Sequence, residues 1–584
     1  MQLQAFISED DGGVTFPTST SNFRAARDQL LRLWDGHARA AAEFRWPDVG
    51  ASFNWAVDWF DVIAEGNDNI ALWIVEEDGR ELKVTFAEMS ARSNQVAAWL
   101  TQQGVGKGDH VMLMLGNQVE LWELMLGIMK IGAVILPTST VLAAGDLADR
   151  VRRGEVDCVI ANAGDAAKFA EIDGDFRRIC VGGTVPGWAH YADADLLPSV
   201  AVPVAVGSDD PSLIYFTSGT TSKPKMVVHT QTSYPVGHLS TMYWLGLRPG
   251  DVHLAISSPG WGKHAWSSFF SPWIAEATVF VYNYGRFDPQ ALTAQLHRAK
   301  VTTFCAPPTV WRMLIQSDVG EKPVGLREIL SAGEPLNPEV ISQIQRAWGL
   351  TIRDGYGQTE TTAIVGNVPG SVLKAGSMGL PLPGVAITLV DPITGGVADE
   401  GEICLDLAEP AVNLMARYHG DPVRTEAALR DGYFHTGDVA TRDDNGYITF
   451  IGRTDDIFKS SDYKVSPFEV ESVLLEHPAV AEAAVVPAPD DTRLNIAKAY
   501  IHLAAGWAPD SATALAVLRH ARNGLPPYMR VRRIEFFELP KTSSGKIRRV
   551  ELRARENEAA DQQLRLPDEW RDDQFPELKR SPRS

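Results

Sequence analysis

The sequence predicts an α/β protein: a large N-terminal domain of parallel-type sheets with helices plus a β-rich subdomain, and a small α+β C-terminal domain. Three observations predict it. Helix-like and strand-like stretches alternate from about residue 52 to about residue 460, the rhythm of strands joined by helical crossovers. Around residues 384–407 that rhythm gives way to short strands separated by Gly and Pro turns. Near Arg453 a shorter series of helices and strands begins, about a hundred residues long and so of common domain size.

The elements follow in chain order. Thr85 is placed to cap a helix whose Phe86, Met89, Val96 and Leu100 form one apolar stripe, with Gly104 stopping it. Residues 110–115 make an apolar run of strand length, 120–130 a second helix, and 133–136 a strand closed by Pro137. The same alternation recurs at 279–282, 302–305 and 328–331. In the C-terminal unit, 469–477 and 512–523 read as helices and 480–486 and 497–503 as strands. The resulting division is an N-terminal extension (1–50), a large domain (51–453), a small domain (454–555) and a tail (556–584). Both ends are polar and charged, which predicts extended or disordered segments, with Trp570 and Phe575 able to dock the tail.

The 584 residues are 45% hydrophobic and 22% charged, ordinary for a globular chain and unlike a collagenous or low-complexity one. Against 74 acidic residues stand 54 basic ones, a net charge of −20. Such a surface repels polyphosphate at long range, so broad binding of nucleic acid or anionic membrane is not expected. Cys158, Cys180, Cys305 and Cys404 are widely spaced with no CxxC pair, which argues against structural zinc and a disulfide framework and for a reducing, cytoplasmic setting. No apolar run is long enough to span a bilayer. A monomer or homodimer is expected.

The most informative stretch is 215–229, YFTSGTTSKPKMVVH. A strand-like lead-in opens into a small-residue, hydroxyl-rich loop containing Gly219, with Lys223 and Lys225 behind it. Such a loop presents backbone N–H groups and hydroxyls to a polyphosphate while the lysines neutralise charge. It is not a Walker A loop: GxxxxGK[ST] is missing and Pro224 stands where that motif starts its helix.

T-S-G-T-T-x-x-P-K resembles the phosphate loop of adenylate-forming enzymes: acyl-CoA synthetases, peptide-synthetase adenylation domains and luciferases. Further stretches resemble the same family in the same order: 331–336 (SAGEPL), 354–360 (DGYGQTE), 433–438 (YFHTGD) with 452–459 (GRTDDIFK), and 540–548 (PKTSSGKIR). The resemblance covers about residues 50–555 and is closest to the medium-chain and aromatic acid–CoA ligase branch. It implies an AMP-forming ligase: a carboxylate attacks the α-phosphate of ATP to give an acyl-adenylate and pyrophosphate, then a thiol displaces AMP. Two anions must meet in the first step, so the site needs positive charge and aimed donors.

The resemblance assigns roles residue by residue. Thr217, Ser218, Gly219, Thr220, Thr221 and Lys225 hold the β- and γ-phosphates; Thr359 donates to the α-phosphate; Glu360, with Thr220, binds Mg²⁺. Gly333, Glu334, Pro335, Asp354, Gly355, Tyr356 and Gly357 belong to the nucleotide pocket, Tyr356 offering an aromatic face. Asp438 accepts from the ribose hydroxyls, and Arg453 is a second ribose or phosphate contact. Lys546 is the adenylation lysine, a compact charge able to bridge carboxylate and α-phosphate. The small domain is expected to be mobile, pivoting at Asp455. Trp261, Gly262, Lys263 and His264, in SSPGWGKHAW, stand at the acyl pocket.

One departure concerns the acceptor. Residues 460–467 read SSDYKVSP, where the family pattern is close to S-G-Y-R. In this loop, formed by Ser461, Asp462 and Lys464, an aspartate replaces the glycine beside which the thiol arm of CoA passes, and a lysine replaces a bidentate arginine. CoA is the expected acceptor. The alternative is an adenylating enzyme with another nucleophile: a carrier-protein thiol, an amine, or nitrite as in diazotase-like members. A P-loop ATPase is disfavoured by the absent Walker lysine, and a non-catalytic nucleotide sensor by the intact Lys546, Glu360 and Asp438.

Overall fold

Two large sheets, mostly parallel, carry the N-terminal three quarters of the chain. The computed structural model describes residues 18–578 except 202–203, 218–222, 335, 393, 461–462, 491–492, 542–546, 563, 565 and 567. The first sheet runs, edge to edge, through Arg417–Tyr418, Lys225–Thr230, Pro211–Thr217, Val134–Pro137, His110–Met114, Cys158–Asn162, Arg177–Val181 and Ala189–His190. The second runs Leu380–Pro381, Ala363–Gly366, Arg353–Gly357, Glu328–Ala332, Thr303–Ala306, Val252–Ala255, Thr278–Tyr282, Ile70–Val75 and Glu81–Thr85. From Val252 to Gly357 the paired strands are parallel, so the loops after their C-terminal ends open on one edge, where ligands bind in open α/β sheets.

Local chemistry accounts for the boundaries. Thr85 caps the helix Phe86–Gln102 through a full capping box with Glu88, and Gly104 leaves it with φ +80°. The apolar stripe lands on the core: Phe86, Met89, Val96 and Leu100 are all buried. The helices Phe86–Gln102 and Val119–Lys130 pack together between the sheets with Trp55, Trp59, Trp122 and Trp273, none of them more than 2% exposed. At about 1.5–3 kcal/mol for a fully buried large apolar side chain, this aromatic layer is a major source of cohesion.

A third, antiparallel sheet contains Ile387–Val390, Glu400–Asp406, Tyr433–Arg442 and Ile448–Arg453. Beyond it the buried apolar residues change company. Phe450 packs on the core of the large unit, while Phe458 belongs to a second core with Val470, Val485, Ile501, Val517 and Ile534. That core lies under the sheet Val480–Asp490, Leu494–Leu503, Val531–Phe536 and Glu569–Arg571.

The two ends differ from the sequence expectation. Residues Thr18–Arg32 and His37–Glu43 are helical, and Phe23 and Leu30 are completely buried in the main core, so this part of the extension is folded. Its charge is what obscures the pattern: Arg27 is itself buried, paired with Glu276 at 2.9 Å. At the other end the helix Arg549–Asp561 runs across the expected boundary at 555. The strand Glu569–Arg571 completes the small sheet, and Phe575 and Leu578 enter its core. Lys498 explains the charge of that tail. Fully buried, it lies within 2.9 Å of Glu535, Glu556 and Glu569, so two of its three carboxylates come from the presumed tail. Among the described residues no helix is long and apolar enough to cross a membrane.

Candidate active site

In the large unit, the segments singled out for chemistry follow the C-terminal end of a parallel strand or lie on the third sheet beside it. Val252–Ala255 leads to the acyl segment, Glu328–Ala332 to Gly333 and Glu334, Arg353–Gly357 to Thr359 and Glu360, and Pro211–Thr217 to the hydroxyl-rich loop. Ser218, Gly219, Thr220, Thr221, Pro335, Ser461, Asp462 and Lys546 lie outside the described residues. Most of the others are brought together.

The glycines of DGYGQTE have a steric reason. A Cβ on Gly355 would sit 2.3 Å from the Trp244 ring, and one on Gly357 would sit 2.1 Å from the Thr362 carbonyl oxygen. Only glycine lets this strand lie so close to its neighbours. The turn that follows places Thr359 and Glu360 opposite Lys225. The Glu360 carboxylate, almost fully buried, is 3.3 Å from Lys225 Nζ and accepts from the Tyr418 hydroxyl at 2.8 Å, both through Oε1. Burial alone would raise its pKa, but the Lys225 charge and the Tyr418 bond outweigh this and hold it below the ordinary glutamate value.

Thr359 is anchored from behind. Its carbonyl lies 2.7 Å from His229 Nε2, and His229 Nδ1 lies 2.9 Å from the Ser233 hydroxyl. A carbonyl can only accept, so Nε2 carries the proton and Nδ1 accepts. Burial lowers the pKa of His229 to about 4, which keeps the ring neutral and this tautomer fixed.

A second cluster surrounds Asp438. It accepts from the Tyr356 hydroxyl at 2.6 Å and from the Gln358 amide at 2.5 Å, and Arg453 Nη1 lies 3.2 Å away. Arg453 also reaches Asp455 at 3.2 Å; together the two carboxylates raise its pKa despite burial. Tyr356, expected as a stacking face, is thus also tied by its hydroxyl to the ribose-binding candidate. Gly333 is exposed, with φ +108°, and Glu334 is half-buried. Asp354 is buried, and its carboxyl is pushed up to about 7 by desolvation, against backbone donors at Gly355 and Leu336.

Gly262 approaches this centre: a Cβ there would stand 2.9 Å from the Tyr234 hydroxyl and 3.7 Å from Thr359 Oγ1. Trp261 is half-buried beside it. Lys263 Nζ donates to the Ala332 carbonyl at 3.0 Å, and among the described residues it makes no ion pair. Burial lowers its pKa, against the charges of Cys305, Glu334 and Asp354. His264 is buried 3.2 Å from the Asn117 side-chain oxygen, with its pKa lowered to about 3 by desolvation. Lys464 is not drawn in; it is exposed on the hairpin Phe458–Ser460 and Tyr463–Val465 of the small unit.

Sequence reasoning missed Tyr418, His229 and Gln358. Gln358 lay inside a quoted motif. Tyr418 carries no local signal, because it reaches Glu360 only after Arg417–Tyr418 pairs with Lys225–Thr230.

The buried histidines set a pH dependence. His229, at about 4, and His253 and His264, at about 3, all lie below the usual value of 6.5 because of burial. The unfolded chain therefore binds more protons below about pH 6.5, and stability falls on acidification toward pH 4. Asp354, near 7 rather than 3.8, opposes this with one proton over the same interval. Each histidine contributes about 1.4 kcal/mol per pH unit. Denaturant midpoints are expected to fall from pH 7 to pH 5; a flat profile would contradict the buried-neutral assignment.

The chain is similar to known proteins over most of its length. Residues 60–419 match the family model of the AMP-binding enzyme, and residues 469–546 that of the AMP-binding enzyme C-terminal domain. The chain is 42% identical over 517 residues to 4-hydroxybutyrate–CoA ligase 1 of Metallosphaera sedula, covering 87% of this chain and 91% of that one. It is 37% identical over 530 residues to the mitochondrial acyl-coenzyme A synthetase ACSM3 of Mus musculus, again covering 87% and 91%. Among solved structures, the anthranilate CoA ligase AuaEII in complex with anthranoyl-AMP superposes with a TM-score of 0.79 at 28% identity, covering 88% of this chain and 99% of that one.

Proposed function

The chain belongs to the AMP-binding enzyme family and is an AMP-forming acid–CoA ligase, and from that premise we propose how its residues divide the work and what acid they take. ATP lies across the strand ends. The hydroxyl-rich loop 217–221 and Lys225 hold the β- and γ-phosphates, Thr359 the α-phosphate, and the 333–335 and 354–357 segments the adenine. Asp438 accepts from the ribose hydroxyls with Arg453 beside it. Lys546 completes the charge around the reacting oxygens. The large domain runs to residue 453 and takes in the helices Thr18–Arg32 and His37–Glu43, and the small one, which pivots at Asp455, continues through the strand Glu569–Arg571.

Glu360 suits a hard cation: it is ionised and buried, and its Lys225 and Tyr418 contacts share one oxygen. With Thr220 it would hold Mg²⁺, which neutralises phosphate charge when bound. The four cysteines are unpaired and buried, which supports a cytoplasmic setting.

The substrate reading rests on one observation, the half-buried Lys263 ammonium, which among the described residues donates to a single backbone carbonyl beside the acyl segment. A half-buried cation with spare donors favours a partner that accepts. The acid therefore carries a hydroxyl, carbonyl or similar acceptor away from its carboxylate. The names of relatives, 4-hydroxybutyrate and anthranilate ligases, point the same way. Pyrophosphate release across an acid panel, with and without CoA, tests the reading. Short hydroxy or substituted aromatic acids are expected to lead, with turnover requiring CoA. Lys263→Met is expected to lower kcat/KM for the polar acid by about 10- to 100-fold, the value of one hydrogen bond to a charged group, while sparing the unsubstituted acid of equal length. Equal losses for both would remove Lys263 from the specificity pocket.

A further inference from the structure

We propose that His110, Glu155 and His419 form a binding site for a divalent transition metal, best matched to Zn²⁺, independent of the nucleotide site and of the substrate reading. One ligand atom from each residue lies within 4.8 Å of the others. His419 Nε2 is 3.1 Å from the Glu155 carboxylate, and the two imidazole rings stand 5.5 Å apart, edge to face at 71°. His110 Nδ1 is 2.6 Å from the Gly154 carbonyl. That oxygen can only accept, so Nδ1 carries the proton and Nε2 keeps its lone pair. A backbone carbonyl on the second ring nitrogen is the arrangement that orients ligating histidines. Two imidazoles and a carboxylate suit zinc, and the solvent beside the 72%-exposed Glu155 side chain can supply a fourth ligand.

A comparison within the same protein sharpens the choice. Glu402, Cys404 and His435 also cluster within 4.8 Å, but the Arg430 guanidinium lies 3.1 Å from His435 Nδ1 and 3.8 Å from Glu402. A cation already occupies that position. Among the described residues no lysine or arginine pairs with Glu155.

The position gives the metal a structural role. His110 begins the strand His110–Met114, Glu155 follows the helix Ala144–Arg153, and His419 follows Arg417–Tyr418. Arg153 at the end of that helix donates to the Pro224 carbonyl at the base of the hydroxyl-rich loop, and Tyr418 donates to Glu360. A metal here joins three separate segments, beside Arg153 and Tyr418, and stiffens them.

The full chain, stripped with chelator, is titrated with Zn²⁺ by calorimetry and melted with and without the ion. One equivalent is expected to bind and to raise Tm by a few degrees. Glu155→Gln and His419→Gln are expected to lose both effects, with Glu155→Gln melting like the metal-free parent because its side chain is exposed. Cys404→Ser is expected to keep both. A cobalt derivative is expected to lack a thiolate-to-metal charge-transfer band. No binding by the parent chain, unchanged binding by both His110-cluster variants, or loss of binding in Cys404→Ser would overturn the site.

Discussion

Lys546→Ala is expected to abolish acyl-adenylate formation while leaving CoA thioester formation from supplied acyl-adenylate nearly unchanged. In the first half-reaction a carboxylate and a phosphate, both anionic, must close to bonding distance. An ammonium between them offsets charge that builds as the bond forms; in the second half-reaction that charge is leaving with AMP. Removing one preorganised charge-stabilising donor costs about 10²–10³-fold in rate, and a full positive charge between two anions belongs at or beyond that end. On either side of Lys546, Lys541 bridges to Ile547 and the Arg548 amide donates to the Pro540 carbonyl. Arg549, next in the chain, feels the carboxylate of Glu334 from the large unit as well as its own partner Glu471. Arg549 is therefore within electrostatic reach of Glu334. Pyrophosphate exchange reads the first half-reaction and thioester appearance the second. Equal loss of both would strip Lys546 of its role.

What the sequence shows and hides here follows from the range of the interactions. Thr85, Gly104 and the stripe Phe86–Leu100 are legible because capping and periodicity are local. The motifs are legible because each packs several candidate site residues into one short run of sequence. Tyr418 and His229 are not, because their partners are 58 and 130 residues away. The ends fail for a different reason. A buried Lys498 with carboxylates from Glu556 and Glu569 looks, in one dimension, like a solvated charge run. Composition cannot distinguish charges paired in a core from charges in water, since the difference is who their partners are. The same holds for Arg27 and Glu276 at the N-terminus.

Asp438→Ala is expected to damage both half-reactions, in contrast to Lys546→Ala. AMP carries the same ribose as ATP, so an acceptor for its hydroxyls serves the nucleotide through the whole cycle. The loss has two parts. Two hydrogen bonds to a charged acceptor are worth about 1.5–3 kcal/mol each, so apparent ATP affinity is expected to fall at least about 10²-fold, since 1.4 kcal/mol is a factor of ten. The protein also loses the acceptor shared by Tyr356, Gln358 and Arg453. Arg453 is then left with Asp455, the residue at the expected pivot, so the proposed ribose acceptor and the proposed pivot share one arginine. Asp438→Asn separates these parts: it keeps a neutral acceptor but removes the charge opposing Arg453. It is expected to recover part of the ATP affinity and less of the thioester rate, which depends on small-domain movement. If Asp438→Asn restores both steps equally, the link through Arg453 to Asp455 plays no part in the domain movement; if Asp438→Ala spares thioester formation, Asp438 is not the ribose acceptor.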